Sequence, residues 1–306
     1  MSGLTPEERL AARLDEAARR GEVTSQPSQA APLSVADAYA VQELAIARRL
    51  DRGERLVGVK MGFTSREKMA QMGVDEVIWG RLTSAMLVPD GDRIAPDHYI
   101  HPRIEPEVAF LIGRDIPPDA PPETITSAVT AVAPALEIID SRYADFRFTL
   151  ADVVADNASA AGFVLGAWRA VPPSLDCLGV LLEVDGRTAE VGATASILGD
   201  PWRSLAAAAR LTGRAGMPLR AGWVVLAGGA TAAVPLRPGA QVRAVIESLG
   251  SASVTVAARA RLSDHPGAAT SGTAPRRVVA SPEYAQYAGE APPCDAPHQT
   301  PRPDPG

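Results

Sequence analysis

His101-Pro102-Arg103-Ile104-Glu105-Pro106-Glu107-Val108-Ala109-Phe110 is the stretch on which the fold and the chemistry both turn. Its second half is apolar and runs on through Leu111 and Ile112, which predicts a strand over 105–112. Side chains alternate across a strand, so Glu105 and Glu107 point the same way while Ile104 and Val108 point the other way. Two carboxylates on one face repel each other. They tolerate this either on a solvated surface or around a hard divalent cation that takes oxygen ligands. A third carboxylate, Glu137, interrupts the apolar run at 132–139. A lone Glu there is costly unless it pairs with an arginine or binds a metal. On the residues alone both readings stand.

Around this stretch the chain alternates short elements. Runs rich in Val, Ile and Leu at 55–61, 136–139, 179–184, 223–227 and 241–246 read as further strands, punctuated by Asp185-Gly186 and Pro238-Gly239. Helices open the chain. Thr5-Pro6-Glu7-Glu8 is a capping box with Pro at the first helical position, and the helix should run to Arg20 and stop at Gly21. Ser34 starts a second helix that ends near Gly53, and Thr64-Ser65-Arg66-Glu67 a short third that ends at Gly73. A later helix is expected over 201–214. The class is α+β, with a helical part at 1–54 and a strand-rich body at 55–262. Nine of the 27 prolines fall in residues 263–306, among Ala, Ser, Thr and Gly. That composition predicts a disordered tail.

The 306 residues carry 30 Lys+Arg against 36 Asp+Glu, a net charge of −6, which argues against a nucleic-acid binder. Cys177 and Cys294 are too distant for a zinc ribbon or disulfide scaffold and suit a reducing cytoplasm. The apolar stretch 221–236 is short and broken by Gly228, Gly229 and Pro235, so no membrane span is expected. Phosphate-binding glycine loops, serine-hydrolase elbows and HExxH are absent.

Lys60, between apolar residues in Leu56-Val57-Gly58-Val59-Lys60-Met61-Gly62, reads either as a buried lysine with a lowered pKa, able to act as acid or base, or as an edge lysine in solvent. Asp152 to Ser159 is polar and rich in small residues, and suits a ligand-contacting loop or an Asx-type turn. Arg142 and Arg147 could clamp a carboxylate or pair with nearby aspartates. The amides of Gly228-Gly229-Ala230-Thr231 could hold a carboxylate or oxyanion, or simply turn the chain.

Four segments occur in order: Gly-Val-Lys-Met-Gly-Phe-Thr-Ser at 58–65, His-Pro-Arg-Ile-Glu-Pro-Glu at 101–107, Leu-Glu-Ile-Ile-Asp-Ser-Arg at 136–142 and Ala-Asp-Asn-Ala-Ser at 155–159. Together they resemble the hydratase/decarboxylase branch of the fumarylacetoacetate hydrolase superfamily, over about residues 30 to 257. The resemblance implies a mixed β-sheet roll with a small helical N-terminal part. It implies Mg²⁺ or Mn²⁺ held by Glu105, Glu107 and Glu137, with Lys60 moving protons or supplying charge. Asp156 and Ser159 would orient Lys60 or substrate. Gly229 and Thr231 would bind a substrate carboxylate, and Arg142 or Arg147 the far end of a diacid. Segments 59–69, 72–75, 79–83 and 228–233 resemble the decarboxylases of the branch. The implied reaction is metal-dependent loss of CO₂ from 2-oxo-3-hexenedioate to give 2-hydroxypenta-2,4-dienoate. Hydration of that dienoate is the alternative, and a carbon–carbon hydrolase a more distant one. An inactive scaffold or binding protein of the same fold is the alternative of another class. A homo-oligomer is expected, as is a complex with a cognate hydratase; nucleic acid and membrane are not.

Overall fold

The computed structural model describes residues 3–65, 69–70, 74 and 76–259. The tail expected at 263–306 and most of the helix expected after Thr64 lie outside the described residues.

The chain starts with helix α1 (Pro6–Arg20). Thr5 caps it by accepting from the Glu8 amide, the Glu8 side chain returns to the Thr5 amide, and left-handed Gly21 closes it. Helix α2 (Val35–Asp51) starts at Ser34 and lies against α1. Asp15, buried at their interface, takes both Arg48 and Arg52. Buried Ala11, Leu14, Ala38 and Val41 pack with Tyr143 and with Ala151 and Val154 of the short helix α4 (Leu150–Ala155), so the helical part is joined to the body by a common core.

Two sheets make the body. Among the described residues the larger has eight strands, in the order β2 (Ile78–Thr83), β1 (Leu56–Gly62), β10 (Val224–Leu226), β5 (Arg103–Ile112), β6 (Val129–Ile139), β7 (Ala160–Leu165), β3 (Leu87–Val88), with β11 (Val234–Pro235) added beside β5. The smaller runs β4 (Arg93–Ile94), β13 (Gly250–Val256), β12 (Gln241–Ile246), β8 (Gly179–Val184), β9 (Arg187–Ala193). β1 pairs parallel with β10 and antiparallel with β2. β5 pairs antiparallel with β6, Glu105 opposite Glu137.

The alternation of β5 distributes its side chains. Ile104 packs with Leu136 and Ile138 against Leu182, Val242, Ala244 and Val254 of the smaller sheet. Val108 and Phe110 pack with Val59 and Met61 against Leu205, Ala208 and Ala209 of helix α5 (Pro201–Arg214). The opposite face carries Glu105, Glu107 and Ala109, and continues through Ala133, Ala135, Phe163 and Leu226 as an apolar floor. The remaining α3 (Pro122–Ser127) joins β5 to β6.

Two prolines sit inside these central strands. Pro106 falls where β10 has left β5 and β11 has not yet joined it, so no ladder amide is missed there. Its carbonyl is met by the Ala230 amide. The gap between β10 and β11 is where the carboxylates of β5 emerge. Among the described residues no helix is long and apolar enough to cross a membrane.

Candidate metal and lysine site

Glu105 is 5% exposed, Glu107 and Glu137 are 0%, and Lys60 is 3%. Ligand atoms of the three carboxylates all lie within 4.8 Å of one another, and they are the one such group among the described residues. Adjacent strands bring them together: β5 supplies two, β6 the third directly opposite, and Lys60 arrives from β1, two strands away across β10. Lys60 Nζ lies 2.9 Å from Glu137 Oε2 and donates to the Ala158 carbonyl at 3.2 Å. The Gly228 amide donates to Glu107 Oε2 at 2.6 Å. A Cβ on Gly229 would fall 2.4 Å from Glu105 Oε2, so the glycine lets the Glu105 carboxylate lie close against the backbone.

The electrostatics follow from burial and from the mutual repulsion of the carboxylates, with Lys60 acting against both. Burial, then repulsion from Glu137 and Glu105, pushes Glu107 well above the usual carboxylate range despite Lys60. Burial also raises Glu137, although Lys60 pulls it down. Burial alone would lower Lys60, but Glu137, Glu107 and Glu105 outweigh it and raise the ammonium above its ordinary value. Lys60 is therefore neither an edge lysine in solvent nor a lysine of lowered pKa. It sits in a strand flanked on both sides and is held charged.

A divalent metal fits this donor set. Among the described residues Glu107 Oε1 and Glu137 Oε1 are buried and accept no hydrogen bond, and the cluster offers oxygen ligands only. Hard cations take such ligands.

The second tier of expected residues is corrected in part. Asp156 does not orient Lys60: its carboxylate takes the Arg142 Nε and, at 2.9 Å, the Arg142 amide. Burial pushes Asp156 up to about 6 even with that guanidinium beside it. Nor is Arg142 available to a diacid. It is 6% exposed and spends its remaining donors on the carbonyls of Asp140, Ala160 and Asp156. The commoner fate of an Arg beside aspartates has won here. Arg147 is exposed. The Thr231 hydroxyl donates to the Ala232 carbonyl. Of the amides around Gly229, those of Ala227, Gly228 and Ala230 are already used by Val108, Glu107 and Pro106, so they are not a free oxyanion cradle. Ser159 is buried, 4% exposed, and its hydroxyl has no hydrogen-bond partner among the described residues.

Three features escaped the sequence. Besides Glu137, Lys60 is taken by a backbone carbonyl, that of Ala158, which no side-chain pattern reveals. Residues Asn157, Ala158 and Ser159 all have positive φ, 53°, 51° and 59°. Each such residue costs about 1–2 kcal/mol, so the turn must be held by its surroundings. Arg103 precedes Glu105 by two residues on β5 and so shares its face, exposed, its guanidinium 4.9 Å over the Phe146 ring. It borders a cavity of about 510 Å³ with Tyr99, His101, Phe146, Arg237 and Arg259, which none of the three glutamates lines. The signal for Arg103 was in the alternation of the opening decapeptide.

The fumarylacetoacetate (FAA) hydrolase C-terminal family model matches residues 55–257. A 4-oxalocrotonate decarboxylase of Pseudomonas sp is 54% identical over 245 residues, 80% of this chain and 96% of that protein. A 2-keto-4-pentenoate hydratase of Paraburkholderia xenovorans (strain LB400) is 38% identical over 222 residues, 72% of this chain and 82% of that protein. Among solved structures, the 4-oxalocrotonate decarboxylase of Pseudomonas putida G7, complexed with magnesium and adipate, superposes with a TM-score of 0.79 at 37% identity, covering 83% of this chain and 98% of its own.

Proposed function

Because this chain belongs to the FAA hydrolase C-terminal family, we propose that it is a metal-dependent carboxy-lyase acting on 2-oxo-3-hexenedioate (4-oxalocrotonate). The observation that carries this is the buried Glu105–Glu107–Glu137 cluster with Lys60 at 2.9 Å, in a chain 54% identical to a 4-oxalocrotonate decarboxylase.

Glu105, Glu107 and Glu137 would hold one Mg²⁺ or Mn²⁺. When bound, that cation supplies Lewis-acid polarisation of a 2-oxo acid. In the reaction the bond to the far carboxylate breaks and CO₂ leaves. Its electron pair moves through the conjugated chain to the C2 oxygen, and one proton taken up there gives 2-hydroxypenta-2,4-dienoate. Lys60, held as an ammonium in a dry site, places positive charge beside the developing oxyanion and has a proton at Nζ to give. The floor of Ala109, Ala133, Ala135 and Phe163 keeps water from the carbanion-like carbons. Ser159, Gly229 and Thr231 stay in the proposal as groups that border the substrate. The far carboxylate needs a cation, and with Arg142 occupied the candidates are Arg103 on the carboxylate face and exposed Arg147. Replacing each by Gln should raise the apparent KM for the diacid in one of the two variants; no change in either removes both.

The deciding experiment is a paired assay with Mg²⁺. CO₂ release from 2-oxo-3-hexenedioate without hydration of 2-hydroxypenta-2,4-dienoate supports the proposal. Hydration alone assigns the activity of the 38%-identical hydratases, and silence in both assigns another substrate or an inactive scaffold. A homo-oligomer, association with a cognate hydratase to pass on an unstable dienol, and a reducing cytoplasmic setting for the exposed Cys177 thiol belong to the same reading.

A further inference from the structure

We propose that Asn157 is a positioning residue whose carboxamide clamps a left-handed turn onto strand β2 and thereby aims the Ala158 carbonyl at Lys60. The inference rests on the reading of Lys60 as the cation of the reaction.

Three consecutive non-glycine residues in the left-handed region persist only where neighbours hold them. The holding group is the Asn157 carboxamide itself. Asn157 Oδ1 accepts from the Arg81 amide at 2.7 Å, and Asn157 Nδ2 donates to the Arg81 carbonyl at 2.9 Å. The side chain thus imitates one rung of a β-ladder and docks the turn on β2. The dock is close because residue 80 is glycine: a Cβ there would lie 2.5 Å from the Asn157 carbonyl oxygen. Gly80 is the register partner of Lys60 across β1 and β2. The turn therefore lands beside the lysine, and its middle carbonyl meets Nζ.

An ammonium has three donors. Glu137 and Ala158 occupy two fixed directions, which orients the third. Helix α2 braces the same assembly from behind. Gln42, fully buried, donates to the carbonyls of Val154 and Trp79 and accepts from Arg81 Nη1 at 2.6 Å. It ties the end of α4, just before the turn, to the strand on which the turn sits.

The test is Asn157→Gly in full-length protein with Mg²⁺. Glycine adopts the left-handed conformation without cost, so the backbone is spared and only the clamp is lost. The expected result is a fall in kcat of about tenfold to a hundredfold with KM nearly unchanged, as for a small misplacement of a reacting group. Lys60 and Lys68 are the only lysines in the chain, so trinitrobenzenesulfonate labelling read by mass spectrometry reports Lys60 with an internal reference. Lys60 should label several-fold faster in the variant, at an unchanged Mg²⁺ stoichiometry. Gly80→Ala, which pushes the turn off β2, should act the same way. Asn157→Asp, which keeps the acceptor half of the clamp, should recover part of kcat. Wild-type kcat and wild-type Lys60 labelling in Asn157→Gly overturn the proposal, and so does a loss of kcat that only tracks lost metal stoichiometry. If the wild type is inactive on both substrates the functional reading fails, and the labelling comparison still decides the positioning role.

Discussion

Replacing Lys60 by Met removes a buried cation 2.9 Å from Glu137 and keeps the length of the stem. At 2.9 Å and an effective dielectric constant near 20, the Lys60–Glu137 attraction is worth about 6 kcal/mol. The protein need not lose that much, because the cluster can take up a proton instead. A carboxyl with an unfolded pKa near 4.3 costs about 1.4 kcal/mol per pH unit to protonate above that value, so about 4 kcal/mol at pH 7. The metal-free variant should therefore be less stable than the wild type by about 4 kcal/mol at pH 7, the upper bound set by proton uptake. The sign of the pH dependence follows. A carboxyl raised on folding binds more protons in the native state, so stability falls as pH rises above the unfolded value. The deficit should shrink to about 1 kcal/mol at pH 5. Chemical denaturation of metal-free protein at both pH values measures it, and Mg²⁺ should recover most of the loss at pH 7 by supplying the missing charge. A deficit that stays the same between pH 5 and 7, or below about 1 kcal/mol at both, would refute the account of Lys60 as the neutralising charge of this cluster.

Mg²⁺ or Mn²⁺ at a hundred times its Kd should stabilise the wild type by about 2.7 kcal/mol, or about 5–11 °C in thermal melts, and Glu107→Gln should abolish the shift. Gly229→Ala drives a Cβ into the Glu105 carboxylate, so Mg²⁺ affinity by calorimetry should fall at least about tenfold while Glu107 and Glu137 keep their places. Asp156, raised to about 6 by burial, makes the wild type lose about 3 kcal/mol as pH rises from 4 to 6 and nothing further above that. In Asp156→Asn that window should flatten, so the variant gains on the wild type as pH rises through it; parallel pH–stability curves would contradict the buried-carboxylate account.

How much of this was legible is a matter of range. Thr5 and Glu8 start α1 within four residues of chain, Gly21 stops it, and the helix runs between them as they say. β8, β12 and α5 fall on the boundaries that apolar runs and turn residues mark. β2 and most of β6 were missed: all six residues of β2 are buried, so no alternation shows, and β6 opens in alanine, threonine and proline. The same short-range signals put Glu105 and Glu107 on one face and made Glu137 conspicuous in an apolar strand. Which partner each charged group would find was not local. Arg142 and Asp156 are 14 residues apart and choose each other, whereas Lys60 reaches Glu137 and Ala158 from a strand that sequence cannot place beside theirs. The left-handed turn at 157–159 depends on Gly80 and Arg81, 76 residues away for the Asn157 clamp. Periodicity and caps are written in neighbouring residues, so sequence alone determined α1, α5, β8, β12 and the carboxylate face. Charge, burial and hydrogen-bond partnership are set by whatever the fold brings within a few ångströms, and only the tertiary structure decided that Lys60 is held charged, that Arg142 is spent, and that a backbone carbonyl completes the site.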